Sequence, residues 1–147
     1  MKARIGFVLG MVVAVAATAF AADAVKLDGV KCVVASSKDA KADNAVEYKG
    51  AKVFFCCQNC PKAFAKDTAK FATKANLQLV ATAQAKQKAC PFSGEDVDAN
   101  TKIKVSGVEV GFCCDMCKAK AEASKDAAEL IFNDKAFEKG FKVGKSE

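Results

Sequence analysis

The sequence has no histidine, no tryptophan and a single arginine, Arg4, in 147 residues. The missing imidazole excludes Ser-His-Asp and Cys-His catalysis, His-ligated zinc and haem on a proximal histidine. The near absence of arginine argues against a nucleic-acid partner, because base edges and phosphates are read largely by the bidentate guanidinium fork. The net charge of +6 is carried almost wholly by lysine. Lys62, Lys66, Lys70 and Lys74 form a stripe that reads as a solvated helix face.

Cysteine is what the chain has in excess: Cys32, Cys56, Cys57, Cys60, Cys90, Cys113, Cys114 and Cys117. Before them stands a segment that reads as an export signal. Lys2 and Arg4 precede an uncharged apolar run, Ile5 to Phe20, and Ala19-Phe20-Ala21 offers small residues to a peptidase. That run is short for a bilayer span of about 20 residues. We therefore expect cleavage near Ala21, a periplasmic or secreted product in a bacterium, and no stable membrane insertion afterwards.

The rest is a duplication. Val46 to Cys60 aligns without a gap on Ile103 to Cys117, so that Gly50 meets Gly107, Phe55 meets Phe112, and three cysteines meet three. Cys32 lies 24 positions before Cys56, and Cys90 lies 23 before Cys113. We divide the chain into a signal at 1–21, a first Cys-rich repeat at 22–81 and a second at 82–147. In each repeat polar and apolar residues alternate up to a two-residue turn, Lys49-Gly50 or Ser106-Gly107. Ala51, Val53 and Phe55 then share one strand face, as do Val108, Val110 and Phe112. A helix follows, with Cys60, Phe64 and Phe71 on one side in the first repeat, and Cys117, Ala121, Ser124, Ala128 and Ile131 in the second. A short strand at Leu77–Val80 or Phe141–Val143 would close each unit.

Units of about 55 residues with so few large apolar side chains usually need a staple. One remote cysteine plus a Cys-Cys-x-x-Cys knuckle suits a small metal module that ties a hairpin to a helix. Cys60 and Cys117 would sit in a first helical turn near Lys62, Lys118 and Lys120, which should lower their thiol pKa values. An even cysteine count in an exported chain equally suits disulfides. Cys57-x-x-Cys60 and Cys114-x-x-Cys117 have the spacing of dithiol exchange. With no histidine, an all-thiolate tetrahedron suits zinc, and two or three thiolates suit copper(I). Met116 could add a thioether, although gap filling is its more ordinary role.

Cys90-Pro91-Phe92-Ser93-Gly94, Gly107 and Phe112-Cys113-Cys114-x-x-Cys117 resemble the TRASH/YHS-type domains, small Cys-rich modules associated with heavy metals. Tyr48-Lys49-Gly50 and Phe55-Cys56-Cys57-x-x-Cys60-Pro61-x-x-Phe64 resemble them too. The family spacing falls on Cys32/Cys56/Cys60 and Cys90/Cys113/Cys117. The resemblance implies metal binding and a treble-clef-like ββα core. We expect an α+β chain of two tandem ββα repeats, not an enzyme, holding zinc or copper(I) on all eight thiols. Its partners would be the metal ion and a periplasmic protein. The alternatives are a disulfide-stapled interaction module and a thiol-disulfide oxidoreductase.

Overall fold

The computed structural model describes residues 25–144. The predicted export signal and residues 145–147 lie outside them. The described chain is mixed α+β, with three two-stranded antiparallel sheets and helices between them. Strands β1 (Lys41–Tyr48) and β2 (Ala51–Phe55) form the first hairpin, and helices α1 (Asn59–Lys66) and α2 (Thr68–Ala81) follow. After the short β3 (Ala85–Gln87) come the second hairpin, β4 (Asp98–Val105) and β5 (Val108–Phe112), and the helices α3 (Asp115–Glu122), α4 (Ala127–Phe132) and α5 (Asp134–Gly140). The last strand is β6 (Phe141–Val143).

Both hairpin turns place two residues at positive φ: Lys49 at 51° and Gly50 at 80°, Ser106 at 49° and Gly107 at 87°. Two left-handed residues match the right-handed twist of the flanking strands, and glycine bears that conformation without Cβ strain. Val46 pairs with Val53 and Ile103 with Val110, so each hairpin lays its main apolar set on one face; Phe54, on the other face of β2, packs with Val30 and Ala40. Both ladders are irregular at the same place, between Lys41 and Ala45 and between Asp98 and Ile103.

An isolated hairpin is marginal in water, so each is covered. Phe55 and Phe112 are fully buried, and each such side chain contributes about 1.5–3 kcal/mol by leaving water. Both belong to one core, which also contains Phe64 and Leu79 from the first half and Ile131, Phe132, Phe137 and Phe141 from the second. Helix α2 is its spine, touching β2, β3, β5, α4 and α5.

Three expectations change. Leu77–Val80 is the last part of α2, not a strand; Leu79 is buried in the core and Leu77 packs against its edge. The strand that answers β6 is instead β3, and the two pair with each other, Lys86 opposite Lys142. The single helix expected after each knuckle is broken in both halves. Asp67 accepts a hydrogen bond from the Lys70 amide and starts α2, and Asp126 accepts one from the Glu129 amide and starts α4. Among the described residues no helix is long and apolar enough to cross a membrane.

Candidate metal centre

Each hairpin delivers its cysteines at the point where a strand ends and a helix begins. In the first half the sulfurs of Cys32, Cys56 and Cys60 all lie within 4.8 Å of one another, and in the second those of Cys90, Cys113 and Cys117 do. Cys56 Sγ is 3.6 Å from Cys60 Sγ, and Cys113 Sγ is 3.6 Å from Cys117 Sγ. Cys32 and Cys90 are buried.

Cys57 and Cys114 stand beside these triads and are not among the sulfurs that converge within 4.8 Å. The reason is local. Successive residues leaving an extended strand point to opposite sides, and Cys56 and Cys113 take the inward side. Cys57 is exposed, with its Sγ 3.5 Å from that of Cys60; Cys114 lies 3.7 Å from Cys113. Met116 fills no gap, since it is 81% exposed beside the second knuckle.

The remote cysteine is brought in by a device that the sequence pattern did not reveal. Gln78, on α2, donates from Nε2 both to the Lys31 carbonyl (2.9 Å) and to the Phe54 carbonyl (2.9 Å), while its Oε1 accepts from the Phe54 amide (2.7 Å). It thus ties the residue before Cys32 to the residue two before Cys56. Gln87, on β3, does the same in the second half. Its Nε2 donates to the Ala89 carbonyl (3.0 Å) and the Gly111 carbonyl (2.6 Å), and its Oε1 accepts from the Gly111 amide (2.9 Å). The two glutamines come from different elements and are not partners in the repeat alignment, which is why self-comparison passed over them.

The thiols divide by environment. Burial pushes Cys90 up, but the amide and hydroxyl of Ser93 and the Cys113 and Phe92 amides outweigh it and hold Cys90 at about 6. Burial likewise raises Cys32, and the Ala35, Cys56 and Val34 amides bring it below the usual thiol value. The Cys60 and Asn59 amides pull Cys57 down to about 7. Cys60 and Cys117, expected to be lowered at a helix start, are raised: burial and competition with neighbouring thiols outweigh the helix end, and Cys117 is pushed up to about 12. Each triad therefore favours one thiolate and keeps others protonated. A cation held among the sulfurs would offset the repulsion that keeps them so.

Comparison with protein-family models, with curated proteins and with solved structures finds no match to the chain. The site has to be read from its own chemistry. Three sulfurs converging on one point, with no carboxylate among them, form a donor set for a soft or borderline metal ion.

Proposed function

We propose that the chain is an exported, non-enzymatic protein that binds a thiophilic metal ion, zinc or copper(I), at two cysteine triads and buffers it or hands it to a periplasmic partner. The convergence of Cys32 with Cys56 and Cys60, and of Cys90 with Cys113 and Cys117, carries this reading. These are the cysteines on which the resemblance to TRASH/YHS-type domains rests, and the treble-clef-like description of the tandem ββα repeats belongs to the same proposal. Three thiolates suffice for copper(I), whereas zinc would take a fourth donor. When bound, the ion would supply positive charge that joins hairpin, loop and helix in each half.

The test is native mass spectrometry of the protein as exported, without reductant, and again after reduction and metal loading. Two bound equivalents are expected, falling to one in Cys32→Ser or in Cys90→Ser. Protein without adduct that has lost eight hydrogens carries four disulfides, and would replace this reading by the stapled module.

A further inference from the structure

The two halves differ in where the extra sulfur sits. Cys57 is exposed, lies outside the triad just before α1 and places its Sγ 3.5 Å from that of Cys60. Forming a bond from there needs a sulfur displacement of about 1.5 Å. Cys114 instead contacts its neighbour in sequence, Cys113, at 3.7 Å, and a bond between adjacent cysteines closes a small strained ring. Cys113 also accepts a hydrogen bond from the Ser93 hydroxyl at 3.2 Å. Cys60 thus has two incompatible uses, as a triad ligand and as the exchange partner of Cys57; in the second half Cys114 interacts with Cys117 as well, but its sulfur contact within hydrogen-bond range is to Cys113.

Resting on the metal reading above, we propose that Cys57 is a thiol-disulfide exchange site which takes a low-molecular-weight disulfide as its substrate and so empties the first triad, leaving the second loaded. Cys57 Sγ attacks one sulfur of the small disulfide. The S–S bond of that molecule breaks, a mixed disulfide forms on Cys57, and one small thiolate leaves. Cys60 Sγ then leaves the triad and attacks Cys57 Sγ; the mixed disulfide breaks, the Cys57–Cys60 bond forms, and the second small thiolate leaves. The two protein sulfurs lose two electrons, which reduce the small disulfide to two thiols, and any proton on Cys57 ends on one of them. The first triad is left with two sulfurs.

The experiment uses the whole chain loaded with zinc and then exposed to oxidised glutathione, with released zinc followed by a chromogenic chelator and disulfides mapped by fragmentation mass spectrometry. One of two equivalents should be released from the wild type, together with a Cys57–Cys60 disulfide. Cys57→Ser should load two equivalents and release neither, and Cys114→Ser should behave as wild type. Failure to load zinc, and copper(I) in a parallel loading, overturns the metal reading, and the exchange site with it. Full loading followed by no release, by equal release from both halves, or by undiminished release from Cys57→Ser overturns the exchange site alone.

Discussion

Lys49 at the first hairpin tip and Ser106 at the second hold the same place in the same turn. Lys49 reaches across to the second half, where its Nζ lies 2.9 Å from Asp134 and 3.4 Å from Glu138 and 5.4 Å from the centre of the Phe137 ring. Ser106 and Gly107 instead border a cleft of about 750 Å³, shared with Lys70 and Leu77 of α2 and Glu129 of α4. The aromatic rings are exchanged in a similar way. In the first half Phe64, from the helix, packs on Phe55 at 5.5 Å; in the second, Ala121 holds that helical place, and Phe92, from the loop after Cys90, packs on Phe112 at 5.5 Å. Duplication has kept the backbone frame that gathers the sulfurs, while the side chains that cover each frame have diverged. The halves are alike in their sulfur triads and unlike where they meet.

The largest expected effect tests whether these unlike surfaces form one folding unit. Phe55→Ala and Phe112→Ala should each cost about 3–5 kcal/mol, and urea unfolding should keep a single transition in both, because the two rings belong to one core. Two separate transitions would show that the halves fold independently. Next comes the position after Val53 or Val110, filled by buried Phe54 in the first hairpin and by Gly111 in the second. A Cβ at Gly111 would lie 2.3 Å from Val97 Cγ1, so Gly111→Ala should destabilise by about 1–3 kcal/mol. Val97→Ala in the same chain should recover most of the loss. If it does not, the glycine is there for some reason other than Val97.

The glutamines sharpen the comparison at the sites themselves. Gln78→Leu should weaken metal binding about tenfold at the first triad and leave the second unchanged, and Gln87→Leu should do the reverse. The scale is that of losing an outer partner that positions a ligand, and chelator competition would measure it. Equal weakening at both triads would mean that the clamps act through the shared core.

The smallest effect concerns Asp134, which joins the halves. Its Oδ1 accepts from Lys49 Nζ and Asn76 Nδ2, each at 2.9 Å, and from the Tyr48 hydroxyl at 3.4 Å. Partial burial pushes this carboxyl up, but Lys49 and Asn76 outweigh burial and lower its pKa below the usual aspartate value. A carboxylate lowered on folding stabilises the fold above its unfolded pKa, and that contribution is lost as pH falls through the folded value. Asp134→Ala should therefore cost about 1 kcal/mol at pH 7, a modest loss for a half-exposed group. The difference from wild type should shrink as urea unfolding is repeated at progressively lower pH within the acid range. A difference that stayed constant would assign the loss to packing.

The sequence by itself determined the local frame: two glycine turns, two hairpins with one main apolar face each, and a knuckle at each strand-to-helix junction. Turn conformation and side-chain alternation depend on neighbouring residues, so a linear pattern carries them. Tertiary structure alone decided the rest. It turned Leu77–Val80 inward as helix, because the shared core needed a spine there. It paired β3 with β6 and recruited Gln78 and Gln87 to hold Cys32 and Cys90 in place. Each of these outcomes joins residues distant in sequence or selects between two faces of one backbone. Packing makes that choice, and local pattern leaves it open.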